Sequence, residues 1–334
     1  MQESIECVRR RPGMYFGSTR ERGVERFVYE LVGNVLDCYL QKTATFVQVT
    51  LAGDKITVAD DGPGFPFDQP SELEDMSLAT YFLTHLHATR SVDNHAPHVH
   101  VKTMGFGLAP VNIASSRMVV RSWRSGSLWE QVFCQGVAQA PPTILDQGNG
   151  KGTHIEVTPD PELFGDVKPR PHIIRQVLLE KAHLFSGLKV GFNTEQFHAL
   201  DGLKALGMLL LNSFHSLDYF YSSDPRRDDP FHAALESENI FIEAAALGDQ
   251  ENQKKMLKLS WVNGVKTLEG GSHEQGFKKA LKDIGWRPKL FLIHVVMLEP
   301  EFAGPVRQKL DVPHVCKVVR NALKEPLRMY VNPE

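Results

Sequence analysis

Cysteine is scarce: Cys7, Cys38, Cys134 and Cys316 are the only four in 334 residues, widely scattered and with no CxxC pair. That spacing signals neither a structural zinc site nor a disulfide framework and fits isolated reduced thiols. An excess of either charge is also missing, since 37 Lys+Arg against 40 Asp+Glu leave a formal net charge of -3. With a pI near 6.5, a broad electrostatic footprint for nucleic acid is not expected, and any DNA contact should be local. No stretch approaches the roughly 20 apolar residues of a membrane span. The start, MQESIECVRRRPGMYF, lacks the apolar run of a signal peptide. A cytoplasmic protein with no membrane partner is the expectation, and no internal repeat or low-complexity tract complicates it.

What is present reads as a soluble globular chain, 42% hydrophobic and 23% charged. Its length favours two domains, expected at 1–214 and 215–334. Apolar residues at 24, 27, 28, 31, 32, 35, 36, 39 and 40 predict a helix with a broad buried face. FVQVTL (46–51) and KITVAD (55–60) predict a hairpin, MVVRSW (118–123) and LWEQVF (128–133) a second, and THIEVT (153–158) a further strand. The first sheet should therefore be largely antiparallel. Helices are expected over 172–184 and across DGLKALGMLLLNSF (201–214), the latter closing the first domain, before the polar run SSDPRRDDP. Beyond it IFIEAA, MLKLSWVN and KLFLIHVVML read as strands, with helices near 275–283 and 313–324. The fold class is α+β in both halves.

Three places could carry chemistry. Glu30, Asn34 and Asp37 fall at i, i+4 and i+7, one stripe on an otherwise mostly apolar helix. A carboxylate in a pocket wall can take a proton from water, and an amide oxygen one turn away can coordinate a hard cation such as Mg²⁺; a solvated face is the ordinary alternative. Asp60-Asp61-Gly62-Pro63-Gly64 follows a strand, so its glycines can bring backbone close to a ligand while Asp60 accepts an exocyclic amine hydrogen of adenine. The same string is also an ordinary turn. Gly105-Phe106-Gly107 opens a helix, a place where phosphate binds readily, though a flexible glycine turn reads the same. His85, His87, His95, His98 and His100 crowd one segment, but no cysteine or carboxylate accompanies them at zinc-ligand spacing.

The order of these elements is more specific than any one of them. VRRRPGMYFGST (8–19), FVYELVGNVLD (27–37), VADDGPGFP (58–66), GFGLAPVNIAS (105–115), GKGTHIEVTPD (150–160) and LEGGSHEQGFKKAL (268–281) resemble, in sequence order, motifs of the ATPase region of gyrase B and topoisomerase IV B subunits. The likeness runs from about Ile5 to about Leu327. It implies a Bergerat-type (GHKL) ATPase domain, with a mainly antiparallel sheet and helices on one face, followed by a smaller α+β transducer domain. It further implies ATP and Mg²⁺ as cofactors and an ATP-dependent homodimer. DNA and a topoisomerase A-type subunit or a downstream cleavage domain are the further partners it suggests. Residue by residue, Glu30 matches the catalytic base, Asn34 the Mg²⁺ ligand, Asp60 the adenine ligand and Thr153 its helper. Gly64, Phe65 and Pro66 complete the adenine-side loop; Gly105, Phe106, Gly107 and Leu108 match phosphate-binding lid positions.

The chain also departs from the pattern. Near FAGPVRQKL (302–310) the family carries a QTK motif whose lysine touches the γ-phosphate; Pro305, Val306 and Arg307 stand there instead, with Lys309 as a second candidate. Arginine still binds phosphate, bidentately and always charged. Pro63 replaces the arginine of DDGRG, and the lid keeps only part of its glycine run, where Lys102 offers either a charge to the phosphates or an exposed loop lysine. The N-terminal arm that crosses between subunits in the family is expected to be short or absent, and no acidic metal-binding cleavage domain is expected, so the chain alone should not cut DNA. An ATPase is the leading reading. A nucleotide-sensing module with little or no hydrolysis, and a regulator that pairs with a genuine topoisomerase subunit, are the alternatives.

Overall fold

The computed structural model describes residues 1–72, 74–86, 107–214, 229–249, 256–298, 300–304 and 307–332, with 212–214 described by backbone alone. These fall into two compact units. One takes the described residues up to Ala182 together with Gly187–His198; the other takes His183–Ser186 and the described residues from Ala199 onward.

The first unit begins with helices α1 (Gln2–Arg10), α2 (Pro12–Phe16) and α3 (Glu21–Leu40), then strands β1 (Phe46–Ala52) and β2 (Lys55–Asp60). Helices α4 (Leu78–Thr84) and α5 (Leu108–Ile113) precede β3 (Ser115–Arg124), β4 (Ser127–Cys134), β5 (Val137–Ala138), β6 (Thr143–Gln147) and β7 (Thr153–Pro159). Helices α6 (Pro161–Phe164) and α7 (Pro171–Leu184) lead to β8 (Lys189–Phe192) and β9 (Glu195–Phe197). Among the described residues the strands make one sheet in the order β5-β4-β3-β7-β2-β1-β8-β9, with β6 also on β4. Every pairing is antiparallel except β1 with β8. The period-2 pattern explains its one-sidedness: Val47 and Val49, Ile56 and Val58, Ile155 and Val157 are buried, while the residues between them are not. On the less buried face Glu156 takes Lys55 and Arg117.

Against the apolar face lies α3, which starts three residues earlier than its apolar periodicity alone predicts. Phe27 is fully buried and stacks on Phe16 of α2 at 5.0 Å, with Phe164 of α6 edge-on to both. The arginine-rich opening thus has a structural reason. Its Phe16 fills the core, and Arg9 places Nη1 2.6 Å from Asp160 and Nη2 2.7 Å from Glu162. Arg9 heads the groups that hold the Asp160 carboxyl below its ordinary range against the effect of burial.

In the second unit α8 (Gly202–Phe214) is followed by β10 (Phe231–Ser237), β11 (Ile240–Asp249), β12 (Leu257–Val262), β13 (Val265–Lys266) and β14 (Gly270–Gly271). Helix α9 (Ser272–Asp283), β15 (Pro288–Val296), β16 (Lys309–Leu310) and α10 (Pro313–Val331) complete it. The sheet order is β10-β11-β15-β12-β13, with β14 and β16 paired apart from it. Phe277, Leu281, Phe291, Ile293, Val319 and Leu323 centre its core. Helix α8, read from sequence as the end of the first domain, groups with this unit: a side chain at Gly207 would meet Leu247 of β11 and Leu292 of β15.

Candidate functional site

Helix α3 buries three carboxylates, Glu25, Glu30 and Asp37, on a cylinder whose other buried positions are apolar or glycine. Burying a carboxylate is costly unless something compensates it. Glu25 is held by Arg170, with Nε–Oε1 2.7 Å and Nη2–Oε2 3.0 Å. Glu30, only 6% exposed, has Oε1 2.9 Å from Nε of Arg26, one turn earlier on the same helix. Asn34 sits a further turn along and is half-buried. Its Nδ2 donates to the Glu30 carbonyl at 3.0 Å, so its other polar atom, Oδ1, is a hard oxygen acceptor of the kind Mg²⁺ takes. One more turn on, Cys38 lies beside the Gly62 turn, its Sγ 3.7 Å from where a Gly62 side chain would begin. The stripe therefore runs from Glu30 through Asn34 to the end of β2.

At that end the strand register puts Asp60, Thr153 and Ser122 in one row across β2, β7 and β3. Asp60 Oδ1 accepts from the Gly62 amide at 2.8 Å. Burial nevertheless pushes the Asp60 carboxyl up to about 6, with neighbouring Asp61 adding to the shift and the Gly62 and Thr153 amides opposing it. Asp61 goes the other way: Thr45, the Phe46 amide and Lys151 hold it below its ordinary range despite burial. Burial, and then the Asp60 charge, push the Cys38 thiol up to about 11. The buried Ser122 hydroxyl accepts from the Phe65 amide at 2.7 Å, and this fixes the loop Gly64-Phe65-Pro66 over the row. Gly64 has φ +77, and a side chain there would run into the Trp123 carbonyl, so this position needs glycine.

Gly107 caps α5 with φ 74, and Leu108 begins that helix almost wholly buried. Pro110 sits in the first turn, where the missing N–H costs nothing. Because α5 packs on α3, the structure brings Glu30, Asn34, Asp60, Gly64, Phe65, Pro66, Gly107, Leu108 and Thr153 into one unit. Lys102, Gly105 and Phe106 lie outside the described residues, as do Pro305, Val306 and four of the five clustered histidines. The fifth, His85, stacks on Tyr81 at 4.4 Å and pairs with Glu74. Among the described residues no group of three or more His, Cys, Asp or Glu could hold a metal.

Arg307 and Lys309 belong to the second unit, on a short hairpin. Its stem is the Phe302–Leu310 bridge, closed by Ala303 N to Lys309 O at 3.0 Å and Asp311 N to Glu301 O at 2.9 Å. Arg307 has φ 54, and its guanidinium lies 5.6 Å from the Phe302 ring centre.

Sequence reasoning missed Ser122, Arg26 and Cys38. A polar residue at an inward-facing strand position, and an arginine four residues before a buried glutamate, were the available signals.

No family model matches the chain. The B subunit of DNA gyrase from Streptococcus pyogenes serotype M18 is 29% identical, across 99% of this chain and 54% of that protein. The B subunit of DNA topoisomerase 4 from Bartonella bacilliformis is 27% identical, across 97% of this chain and 51% of that protein. The crystal structure of the 43K ATPase domain of Thermus thermophilus gyrase B, in complex with an aminocoumarin, has a TM-score of 0.80 at 26% identity and covers 97% of this chain and 90% of that one. By sequence and by fold, the chain is similar to the ATPase region of gyrase B and topoisomerase IV B subunits. It spans about half the length of the curated relatives it matches. The gyrase B-like fold expected from its motifs, a GHKL sheet domain and then an α+β unit, is the one observed. Among the described residues no helix is long and apolar enough to cross a membrane.

Proposed function

We propose that this chain binds ATP with Mg²⁺ and hydrolyses it, coupling nucleotide binding to closure of a homodimer within a type II topoisomerase-like assembly. The observation that carries this reading is Asp60: a half-buried carboxyl at a strand end, met by neutral amides rather than a cation, and reached by the Glu30–Asn34 stripe of α3. A half-buried acceptor of this kind suits a neutral donor such as the exocyclic amine of adenine. Thr153, its cross-strand neighbour, supports the same edge. Asn34 offers its amide oxygen to the cation, and Glu30 takes the proton of the attacking water. Mg²⁺, when bound, would neutralise phosphate charge. Gly107 and Leu108, with Lys102, Gly105 and Phe106, face the phosphates by the family resemblance, and Arg307 or Lys309 offsets charge on the γ-phosphate. Only the same resemblance brings DNA and an A-type partner into this reading.

One observation favours the sensor reading. Glu30 has Oε1 in contact with Arg26, and a guanidinium does not give up its proton, so only Oε2 is left to accept one from water, in an orientation that the Arg26 contact restricts. In that case nucleotide binding would proceed with little turnover.

Titration calorimetry with Mg²⁺-ATP analogues, beside steady-state ATPase assays with and without DNA, separates the readings. Glu30→Ala should lower turnover by at least about a hundredfold while leaving affinity within about threefold. Absence of any association would end the nucleotide reading, and wild-type binding without turnover would favour the sensor.

A further inference from the structure

Past Asp60 the chain turns into the segment 63–68, and the β3–β4 hairpin holds that segment along its length. Arg124 Nη1 donates to the Pro63 carbonyl at 3.3 Å, and the Phe65 amide donates to Ser122 Oγ at 2.7 Å. Phe67 stacks on Trp129 with ring centres 6.3 Å apart. Asp68 takes the Ser125 hydroxyl at 2.5 Å and lies 3.4 Å from Nε of Arg124. Asp68 and Ser125 are exposed, and polar contacts in water restrain a loop weakly.

Ser122 differs from these. It is fully buried within the sheet, with Trp129 of β4 paired on one side and Thr153 of β7 on the other. The next residue is tied as well, since the Trp123 amide donates to the Gly152 carbonyl at 3.0 Å, so the strand does not follow the loop. Gly64 lies so close to the Trp123 carbonyl that no side chain fits there. Loop and strand therefore meet at two successive residues, and the Phe65–Ser122 bond supplies the hydrogen bond of that meeting. Residues directly paired across an antiparallel ladder put their side chains on the same face. Ser122 thus shares its face with Thr153 and, through Thr153, with Asp60. One buried hydroxyl fixes where the loop stands relative to the Asp60 carboxyl.

We propose that Ser122 is a positioning residue for recognition of the purine base. By pinning Phe65 to the sheet it holds the Gly64-Phe65-Pro66 loop in place beside Asp60 before a ligand arrives. This rests on the reading that Asp60 accepts the exocyclic amine of adenine. Removing the hydroxyl strands the Phe65 amide and lets the loop shift, and a small misplacement of a group that lines a site is enough to cost binding. Ser122, its loop and Asp60 all belong to the first unit, so the loss falls equally on nucleotides that differ only in their phosphates.

The test is titration calorimetry with a non-hydrolysable ATP analogue and with ADP, beside kcat and KM, on Ser122→Ala, Ser122→Thr and Asp60→Asn. Ser122→Ala should weaken both nucleotides equally, by about tenfold, and raise KM by the same factor with kcat held within about twofold. Ser122→Thr, which keeps the hydroxyl on a residue suited to a strand, should bind as the wild type does. A Thr variant as weak as the Ala variant overturns the proposal, and so does a loss confined to the triphosphate analogue. If Asp60→Asn loses affinity and Ser122→Ala keeps it, the role of Ser122 is overturned and the base reading stands. If Asp60→Asn binds as the wild type does, the base reading fails and takes Ser122 with it. Should Ser122→Ala not fold, amide exchange of Phe65 in the wild-type chain decides. Slower exchange with ADP bound supports the pinning of the loop; exchange that ADP leaves unaltered overturns it.

Discussion

Asp60 in the first unit is half-buried and Glu274 on α9 in the second is buried, and loss of water pushes both toward the neutral acid. Around Glu274 that push loses. Lys258 lies 2.8 Å away and Lys278 lies next to it on the following turn, and together they hold the carboxyl below its ordinary range. Around Asp60 it wins, because only neutral amides oppose it and Asp61 adds a like charge. One carboxylate has been completed by the fold and serves as scaffold. The other carries an electrostatic cost that its neighbours do not offset, which fits the ligand role proposed for it. Two further buried polar groups of the second unit follow Glu274: Asn263 trades two hydrogen bonds with Met297, and Glu243 takes the Leu203 amide and His232.

The sharpest way to break this contrast is Asp60→Asn. Nucleotide affinity should fall by about a hundredfold or more, read by calorimetry, because the amide cannot replace an anionic acceptor. Stability should move the other way. A carboxyl raised from 3.8 to about 6 in the fold contributes no penalty below pH 4, a growing one as pH rises between those values, and a full one above pH 6, up to roughly 3 kcal/mol. Urea unfolding should therefore show the Asn variant equal to wild type near pH 4 and more stable above pH 7. Wild-type nucleotide affinity should decline as pH falls through about 6, where the acceptor is protonated.

Glu274→Gln should do the reverse. Its lowered carboxyl contributes stability above the unfolded-state value that is lost as pH falls through the folded one. At neutral pH the variant should be destabilised by about 1–3 kcal/mol, a range discounted for lysines that are partly exposed. ADP affinity should not change. If Asp60→Asn and Glu274→Gln shifted the urea midpoint in the same direction at pH 7.5, the distinction between ligand group and scaffold group would not hold.

The smallest effect is expected at Arg26→Gln. Releasing Glu30 from its guanidinium should raise turnover by about threefold, with little change in affinity. A large loss of turnover instead would make Arg26 part of the reaction rather than a restraint on it.

Long periodic segments were legible in advance. Helix α3, the β1–β2 and β3–β4 hairpins, β7, β11, β12 and β15 follow from apolar spacing and turn residues, which are local properties of the chain. The opening helices α1 and α2 were not, because their arginines and glycine show no periodicity and their places are set by Arg9 on Asp160 and Phe16 on Phe27, contacts with residues farther along the chain. Helix α8 was legible as a helix but not as a member of the second unit, since its apolar sequence does not say which leucines it will meet.

The same division runs through the site. Residue order alone determined the fold class and the family resemblance and put forward Glu30, Asn34, Asp60 and Thr153 as candidates, because motif spacing along one helix or strand end is a local matter of geometry. Tertiary structure decided that Ser122 fastens the Gly64–Pro66 loop and that Asp60 is raised while Glu274 is lowered. Each of these depends on which neighbours a strand or helix acquires and how much water is removed, and neither quantity exists until the chain has folded.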